Sequence, residues 1–188
     1  MSIVARIVLV VGLLAAVVVS TVFSGLVDVA ATSPHWRVTD WILSSAMVSS
    51  VRRRARTVQV PDDLDDASRL RRAASGYEKM CAACHARPGE KPGVLAQGLL
   101  PEPPALAEEA EAWSAAEQFW IVKNGVRMTG MPAFGPTHTD EQLWDLVALL
   151  RGLPSLSPDD YRSLVATSAE HGSHDHTHGE RRETHEPD

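Results

Sequence analysis

The chain contains only two cysteines, and both lie in one five-residue segment, Cys81-Ala82-Ala83-Cys84-His85. Two thiolates three positions apart can each form a thioether with a vinyl group of haem, and the histidine that follows can bind the iron. A zinc site made of four thiolates would need a second C-x-x-C, which this sequence lacks. The segment therefore predicts one covalently attached haem c, held by Cys81, Cys84 and His85.

A second constraint is the uncharged, mostly apolar stretch from Ile7 to Val27. About 20 apolar residues suffice to cross a bilayer, whereas the apolar part of a secretory signal usually has about 7–15 residues. Its length favours an uncleaved transmembrane anchor, and not a cleaved signal. The anchor would comprise residues 7–27, with residues 1–6 in the cytoplasm. Positive charges hardly decide the orientation, because Arg6 precedes the stretch and Arg37 follows it.

Length and charge limit what the remainder can be. A chain of 188 residues is long enough for about one modest domain with appendages. Its formal net charge of −6 argues against nucleic acid as a partner. The sequence also lacks a glycine-rich phosphate loop and a nucleophile elbow.

Residues 28–60 form a juxtamembrane segment of mixed character. Trp36 and Trp41 are residues that favour the headgroup level of a bilayer, and arginines occur at positions 52, 53, 54 and 56. An amphipathic helix lying on membrane lipid and an ordinary solvated linker helix both explain this pattern. Both interpretations stay open at this point.

Residues 61–154 have the pattern of a domain built from several short helices. Acidic residues at 62, 63, 65 and 66 favour the start of a helix through Leu70, Ala74 and Tyr77 into the cysteine motif. Two capping-box patterns, Ser114 with Glu117 and Thr139 with Gln142, predict the starts of two further helices. Ser157-Pro158 predicts the start of a last short helix, within residues 155–167. The sequence is therefore typical of an all-α protein.

Residues 168–188 are polar and rich in histidine, and they offer almost nothing apolar to bury. This composition predicts a disordered tail. His171, His174, His176 and His178 could together bind a divalent metal such as zinc, copper or nickel. A solvated low-complexity tail without a specific metal site explains the same composition.

A candidate for the second axial ligand of the haem iron lies about 50 residues after His85. Gly130-Met131-Pro132 offers a thioether, a soft ligand that stabilises ferrous iron, and Pro132 stiffens the backbone that presents it. Met128 is the rival ligand. The Met-Pro pair favours Met131, which would leave the iron without a vacant site.

These motifs together make residues 71–154 resemble a class I, monohaem cytochrome c. The resemblance rests on Gly76-Tyr77 before C-x-x-C-H, on Asn124-Gly125, on the segment from Thr129 to Phe134, and on Trp144 in the closing helix. It implies thioethers at Cys81 and Cys84, with His85 as the proximal ligand and Met131 as the distal one. It also implies that Gly76 and Tyr77 pack near Trp144 and Val147.

The resemblance further implies a non-enzymatic electron carrier, anchored in the bacterial inner membrane with its haem domain on the periplasmic face. Its partners would be redox proteins or a larger membrane respiratory complex. Two alternatives come from other classes: a metal-handling or sensing protein that uses the tail, and a haem enzyme such as a peroxidase. A peroxidase would need an open or labile sixth site on the iron, which a methionine ligand would fill.

Overall fold

The structure is a computed structural model that describes residues 2–109 and 112–174, with side chains as far as Ser168. It divides into two units, residues 1–35 and 36–188. Within the described residues every regular element is a helix, which confirms the all-α expectation. The helices are α1 (Ile3–Phe23), α2 (Arg37–Ala55), α3 (Ala67–Met80), α4 (Ala82–His85), α5 (Val94–Gln97), α6 (Leu106–Glu109), α7 (Ala115–Asn124), α8 (Asp140–Gly152) and α9 (Pro158–His174).

The first unit is dominated by α1, none of whose residues is buried. Its mean hydropathy reaches 2.8, and its length and composition suit a membrane span, although an N-terminal signal sequence has the same properties. The apolar stretch was predicted over residues 7–27, but the helix runs from Ile3 to Phe23. It ends early because the Ser24 hydroxyl donates to the Thr21 carbonyl and Gly25 adopts a φ of +74°, a conformation that terminates helices.

The core of the second unit lies where α3 packs on α8 and α9. Helix α7 packs against both α8 and α2. Tyr77 and Val147 are fully buried in this core. A β-carbon placed on Gly76 would lie 3.8 Å from Leu146 Cδ2, so Gly76 faces Leu146 on α8. Trp144 stacks on Phe119 of α7, with ring centroids 4.1 Å apart. The structure thus agrees with the expected packing of α3 on α8, with Gly76 facing Leu146, which lies between Trp144 and Val147 in the sequence.

Both predicted capping boxes are present. The Ser114 hydroxyl accepts from the Glu117 N–H and the Thr139 hydroxyl from the Gln142 N–H, and each N3 side chain bonds back to its N-cap N–H. Reciprocal bonds of this kind satisfy donors that a helix start leaves unpaired. They fix where α7 and α8 begin, on either side of the loop that contains Met131.

An ion-pair network that the sequence did not reveal joins α3 to α8. Arg69, only 2% exposed, donates to Asp145 at 2.7 Å and to Asp63 at 2.8 Å. Arg72 donates to both oxygens of the buried Asp145. These pairs allow charged residues to lie within the α3–α8 interface.

Helix α9 is longer than expected. It was predicted to end by residue 167, with a disordered tail from 168, but it extends to His174. One reason is that Ser168 is buried, and its hydroxyl accepts from the Ser75 N–H of α3 at 3.1 Å. Contact with α3 therefore continues past the predicted end, while residues 175–188 lie outside the described part of the chain.

Candidate haem site

The cysteine motif forms α4, a single helical turn that follows α3. The Cys81 N–H donates to the Tyr77 carbonyl at 2.8 Å, and the Cys81 carbonyl accepts from the N–H groups of Cys84 and His85. Residues three positions apart lie on the same face of a helical turn, so Cys81 and Cys84 are presented together. Burial raises the pKa of the Cys81 thiol to about 12, and the neighbouring Cys84 adds to the rise.

The His85 ring is oriented by a backbone carbonyl. Its Nδ1 lies 2.8 Å from the Pro104 oxygen, which can only accept a hydrogen bond, so Nδ1 carries the proton. Nε2 then keeps its lone pair and can bind a metal. Burial lowers the pKa of His85, against the opposing effect of the Pro104 hydrogen bond, and so favours the neutral imidazole that ligation requires.

Cys81, Cys84, His85 and Met131 line one cavity of about 280 Å³. Most of the other described lining is apolar, including Leu99, Leu106, Ile121, Val122, Phe134 and Leu150. Apolar walls with a few polar or metal-binding groups are typical of cofactor sites. The cavity therefore brings together all four residues predicted to hold the haem.

Met131 is presented by a loop that is tied to itself and to α7. The Thr129 hydroxyl donates to the Val126 carbonyl at 2.7 Å and accepts from the Met131 N–H at 3.1 Å. The Val126 N–H donates in turn to the Met131 carbonyl at 3.2 Å. Beyond Pro132, the N–H groups of Phe134 and Gly135 donate to carbonyls at the end of α7. These bonds fix the backbone on both sides of Met131.

The rival Met128 lies in a different environment. It is 87% exposed, has a φ of +60°, and is not part of the described cavity lining. Two other methionines, Met47 and Met80, do line the cavity. The geometry thus favours Met131 over Met128 and adds Met47 and Met80 as residues to be tested.

The aromatic side chains around the site have different roles. Trp113 lines the cavity, whereas Phe119 is a core residue that stacks on Trp144. Trp120 lies beneath the Arg54 guanidinium of α2, at 5.9 Å from the ring centroid. Among the described contacts, the His138 ring makes its hydrogen bonds within its own loop, with the Thr137 hydroxyl and the Phe134 carbonyl.

Several residues of the site could not be recognised from the sequence. Pro104 acts through its carbonyl, and any residue type could supply that group. Met47 belongs to α2, in the segment 28–60 that the sequence did not connect with the haem site. Leu99 packs closely over Gly130, where an added β-carbon would lie 2.8 Å from Leu99 Cδ1. Only the tertiary structure brings these residues to the cavity.

The tail metal site remains a prediction. His171, His174, His176 and His178 lie outside the residues whose side chains the structure describes. Among those that it does describe, no group of three or more histidine, cysteine or acidic side chains could hold a metal ion.

The donor set fits a haem c. Two thiols on one helical turn, an imidazole whose Nε2 is free to ligate, and a thioether facing the same apolar cavity match what covalent attachment and two-ligand iron coordination require. The covalent bonds would form at Cys81 and Cys84, and the apolar lining would surround the ring.

Comparison with known proteins gave one family. Residues 68–150 match the family described as "Cytochrome C oxidase, cbb3-type, subunit III". No curated protein matched the chain. The match begins at the start of α3 and ends within α8, so it contains the cysteine motif and the Met131 loop but neither α2 nor α9. Together, the site and the match identify residues 68–150 as a cytochrome c domain of the cbb3 subunit III type, an electron carrier with an apolar N-terminal helix ahead of it.

Proposed function

We propose that the chain is a membrane-tethered monohaem cytochrome c in which His85 and Met131 are the two axial ligands of the iron. The observation that carries this proposal is that His85, held by Pro104, and Met131, held by Thr129, line the same cavity while Met128 is exposed. The haem supplies a one-electron ferric/ferrous couple.

The residues of the chain would contribute three things. Pro104 holds the His85 proton on Nδ1, so that the Nε2 lone pair would be free to bind the haem iron. A thioether from Met131 would fill the remaining ligand site of the iron, which disfavours oxygen chemistry, and would raise the reduction potential. The apolar lining excludes water, which also favours the ferrous state, because burying the more highly charged ferric site costs more.

Optical spectra of the purified holoprotein test the ligands. Met131→Ala should abolish the methionine–iron charge-transfer band, lower the reduction potential and allow carbon monoxide to bind. Met128→Ala should leave all three unchanged, because its side chain is exposed. Met47→Leu and Met80→Leu serve as controls of similar size inside the cavity. Loss of the band in Met128→Ala, Met47→Leu or Met80→Leu, with Met131→Ala unaffected, would refute the assignment.

The family match implies respiratory redox partners, and we propose that α1 holds the domain among them on the outer face of a bacterial inner membrane. Residues 61–154 carry nine basic and fourteen acidic side chains, a net charge of −5. A partner with a basic or neutral docking patch would be steered to this domain better than an acidic one.

Isolated membranes test location and partners separately. Carbonate should fail to extract the protein, and its N-terminal sequence should begin before Ile7; a chain that starts after Val27 would show that α1 is a cleaved signal. In the same membranes the haem should be reduced by respiratory substrates and reoxidised by oxygen, with cyanide blocking reoxidation. Cyanide-insensitive reoxidation would exclude a terminal oxidase as the acceptor.

A further inference from the structure

Helix α2 has two halves with different surroundings. From Met47 onwards it packs on the domain, since Val51 is 1% exposed, Ala55 is 5% exposed and Arg54 lies over Trp120. Every residue from 36 to 46 is exposed. The exposed half carries five large apolar side chains: Trp36, Val38, Trp41, Ile42 and Leu43.

An exposed helical half of this kind needs a covering surface. In proteins most of a helix's stability comes from packing an apolar face. Trp36 at the N-cap position offers no side-chain hydrogen bond to the first turn. Contiguous exposed apolar residues usually mark an interaction site. Val38, Trp41 and Ile42 are spaced i, i+3 and i+4, and so share one face of α2.

The charge of this region selects the kind of surface. Residues 36–60 contain five arginines and one acidic residue, Asp40, a net charge of +4, next to a haem domain of −5. Arg37, Arg53 and Arg56 are exposed, and none of them has an ion pair among the described contacts. Tryptophans at the headgroup level and arginines that meet lipid phosphates are the chemistry of an anionic bilayer surface.

The position of the segment in the chain agrees with this occupant. Thirteen residues, 24–36, separate α1 from α2, and such a linker reaches about 45 Å at most. If α1 spans a membrane, the start of α2 cannot leave the neighbourhood of that membrane.

We infer that residues 36–46 of α2 are a docking surface for an anionic lipid bilayer. The inference rests on the proposed function in one respect, that α1 tethers the chain to a membrane. The same helix supplies Met47 to the cavity wall. Lipid contact at its first half therefore restrains the haem cavity relative to the bilayer and leaves the acidic remainder of the domain to face redox partners.

The first experiment uses the full chain in nanodiscs. Lipids brominated near the headgroup should quench the fluorescence of Trp36 and Trp41, measured as the difference from a Trp36→Phe, Trp41→Phe double variant. Amides 38–46 should exchange more slowly in phosphatidylglycerol discs than in phosphatidylcholine discs. Incorporation into the discs tests whether α1 inserts into a bilayer, and quenching tests whether the first half of α2 lies on the bilayer surface. The proposed function and this inference can therefore fail independently. Equal exchange in both lipids with no quenching would overturn the inference.

The second experiment uses the chain without residues 1–35, since residues 36–188 form a unit of their own that contains the whole described core. This fragment should co-sediment with phosphatidylglycerol vesicles at low salt and be released by high salt. Trp41→Ser with Ile42→Ser should weaken binding by at least about tenfold, because two large apolar side chains leave the interface.

Val94→Ser is the matched control, because Val94 is 89% exposed but lies on α5. Its binding should equal that of the unsubstituted fragment. The fragment could instead cover residues 36–46 by self-association. In that case amide exchange at 36–46 would slow and the molar mass would rise with protein concentration in the absence of lipid, which would overturn the inference in favour of a second copy. Protection that appears only with a purified oxidase would overturn it in favour of a protein partner.

Discussion

A β-carbon on Gly125 would lie 2.7 Å from the carbonyl carbon of Pro132. Gly125 has φ +65° and ψ −175°, a region that is essentially restricted to glycine. Any side chain at this position must therefore push the end of α7 away from the segment that follows Met131. Gly125 therefore allows the end of α7 to lie close to the backbone that follows Met131.

Gly125→Ala should consequently destabilise the protein and disturb the haem ligand together. The backbone strain alone costs about 1–3 kcal/mol, and displacement of Met131 should weaken the methionine–iron band. Denaturant unfolding and the optical spectrum measure the two effects. Gly98→Ala is the control, since Gly98 has a φ of −91° and its added β-carbon would meet nothing closer than 3.6 Å. Equal behaviour of the two variants would contradict the steric explanation.

Ala86, directly after His85, adopts φ +61° and ψ +174°, a strained conformation for a residue with a β-carbon. Its carbonyl accepts from the Tyr77 hydroxyl at 2.8 Å. Ala86→Gly should raise the free energy of unfolding by roughly 1 kcal/mol, because relief of strain outweighs the entropy cost of glycine.

Tyr77→Phe should lower the free energy of unfolding by about 1–2 kcal/mol, because it removes the hydrogen bond to the Ala86 carbonyl. Urea unfolding of the singles and the double variant checks both signs, and a destabilised Ala86→Gly would show that the conformation is not strained.

The Arg69–Asp145 pair should be the most sensitive polar contact outside the haem site. Asp145→Ala leaves buried Arg69 without its buried partner, and such losses typically cost about 3–5 kcal/mol. Glu141→Gln removes another partner of Arg69, but the Glu141 side chain is 65% exposed, so the expected loss is below about 1 kcal/mol. Thermal unfolding of the two holoproteins compares them. Similar losses would mean that burial does not govern this network.

Glu78 should make stability depend on pH in the acid range. Hydrogen bonds from Arg87 lower the pKa of Glu78 from 4.5, and a bond from the Tyr161 hydroxyl lowers it further. A lowered folded-state pKa gives stability that is complete above the unfolded value and is lost as the pH falls through the folded one. Glu78→Gln should therefore be less stable at pH 7 and show a flatter stability curve below about pH 4.5.

Glu90→Gln is the control for Glu78. Glu90 bonds the same Arg87, but its side chain is 54% exposed, so its removal should change little. Urea midpoints measured from pH 3 to pH 7 distinguish the variants. An unchanged acid slope in Glu78→Gln would assign the acid sensitivity to other carboxylates.

Met47 should influence the haem from outside the family-matched region. Met47→Ala removes part of the apolar wall and admits water, which favours ferric iron, so the reduction potential should fall. A shift of less than about 59 mV is expected, equivalent to less than tenfold in the one-electron equilibrium. Ser49→Ala, at an exposed position of the same helix, should not change the potential. Redox titration measures both, and an unchanged potential in Met47→Ala would show that α2 does not shield the haem.

Local patterns in the sequence predicted much of this protein correctly. The cysteine motif and both capping boxes are readable within a few residues, and the Met-Pro pair, recognised in the same way, stays a prediction of the second iron ligand. Each depends on short-range chemistry, such as the i, i+3 spacing of two thiols or the reciprocal bonds of a helix start. The same local character let residues 71–154 be related to a known family.

Long-range packing decided the rest. The Pro104 carbonyl meets His85 across 19 positions, and Asp145 meets Arg69 across 76. A carbonyl carries no sequence signal, and a buried arginine looks like any other arginine until its partners are placed. Helix α2 is a further example, because its sequence does not show where its exposed half ends. The packing of its second half on α7 distinguishes the exposed residues 36–46 from Met47, which lines the haem cavity. The sequence by itself determined which groups could hold a haem, whereas the tertiary structure decided which backbone and side chains surround it, since those contacts exist only when distant segments are packed together.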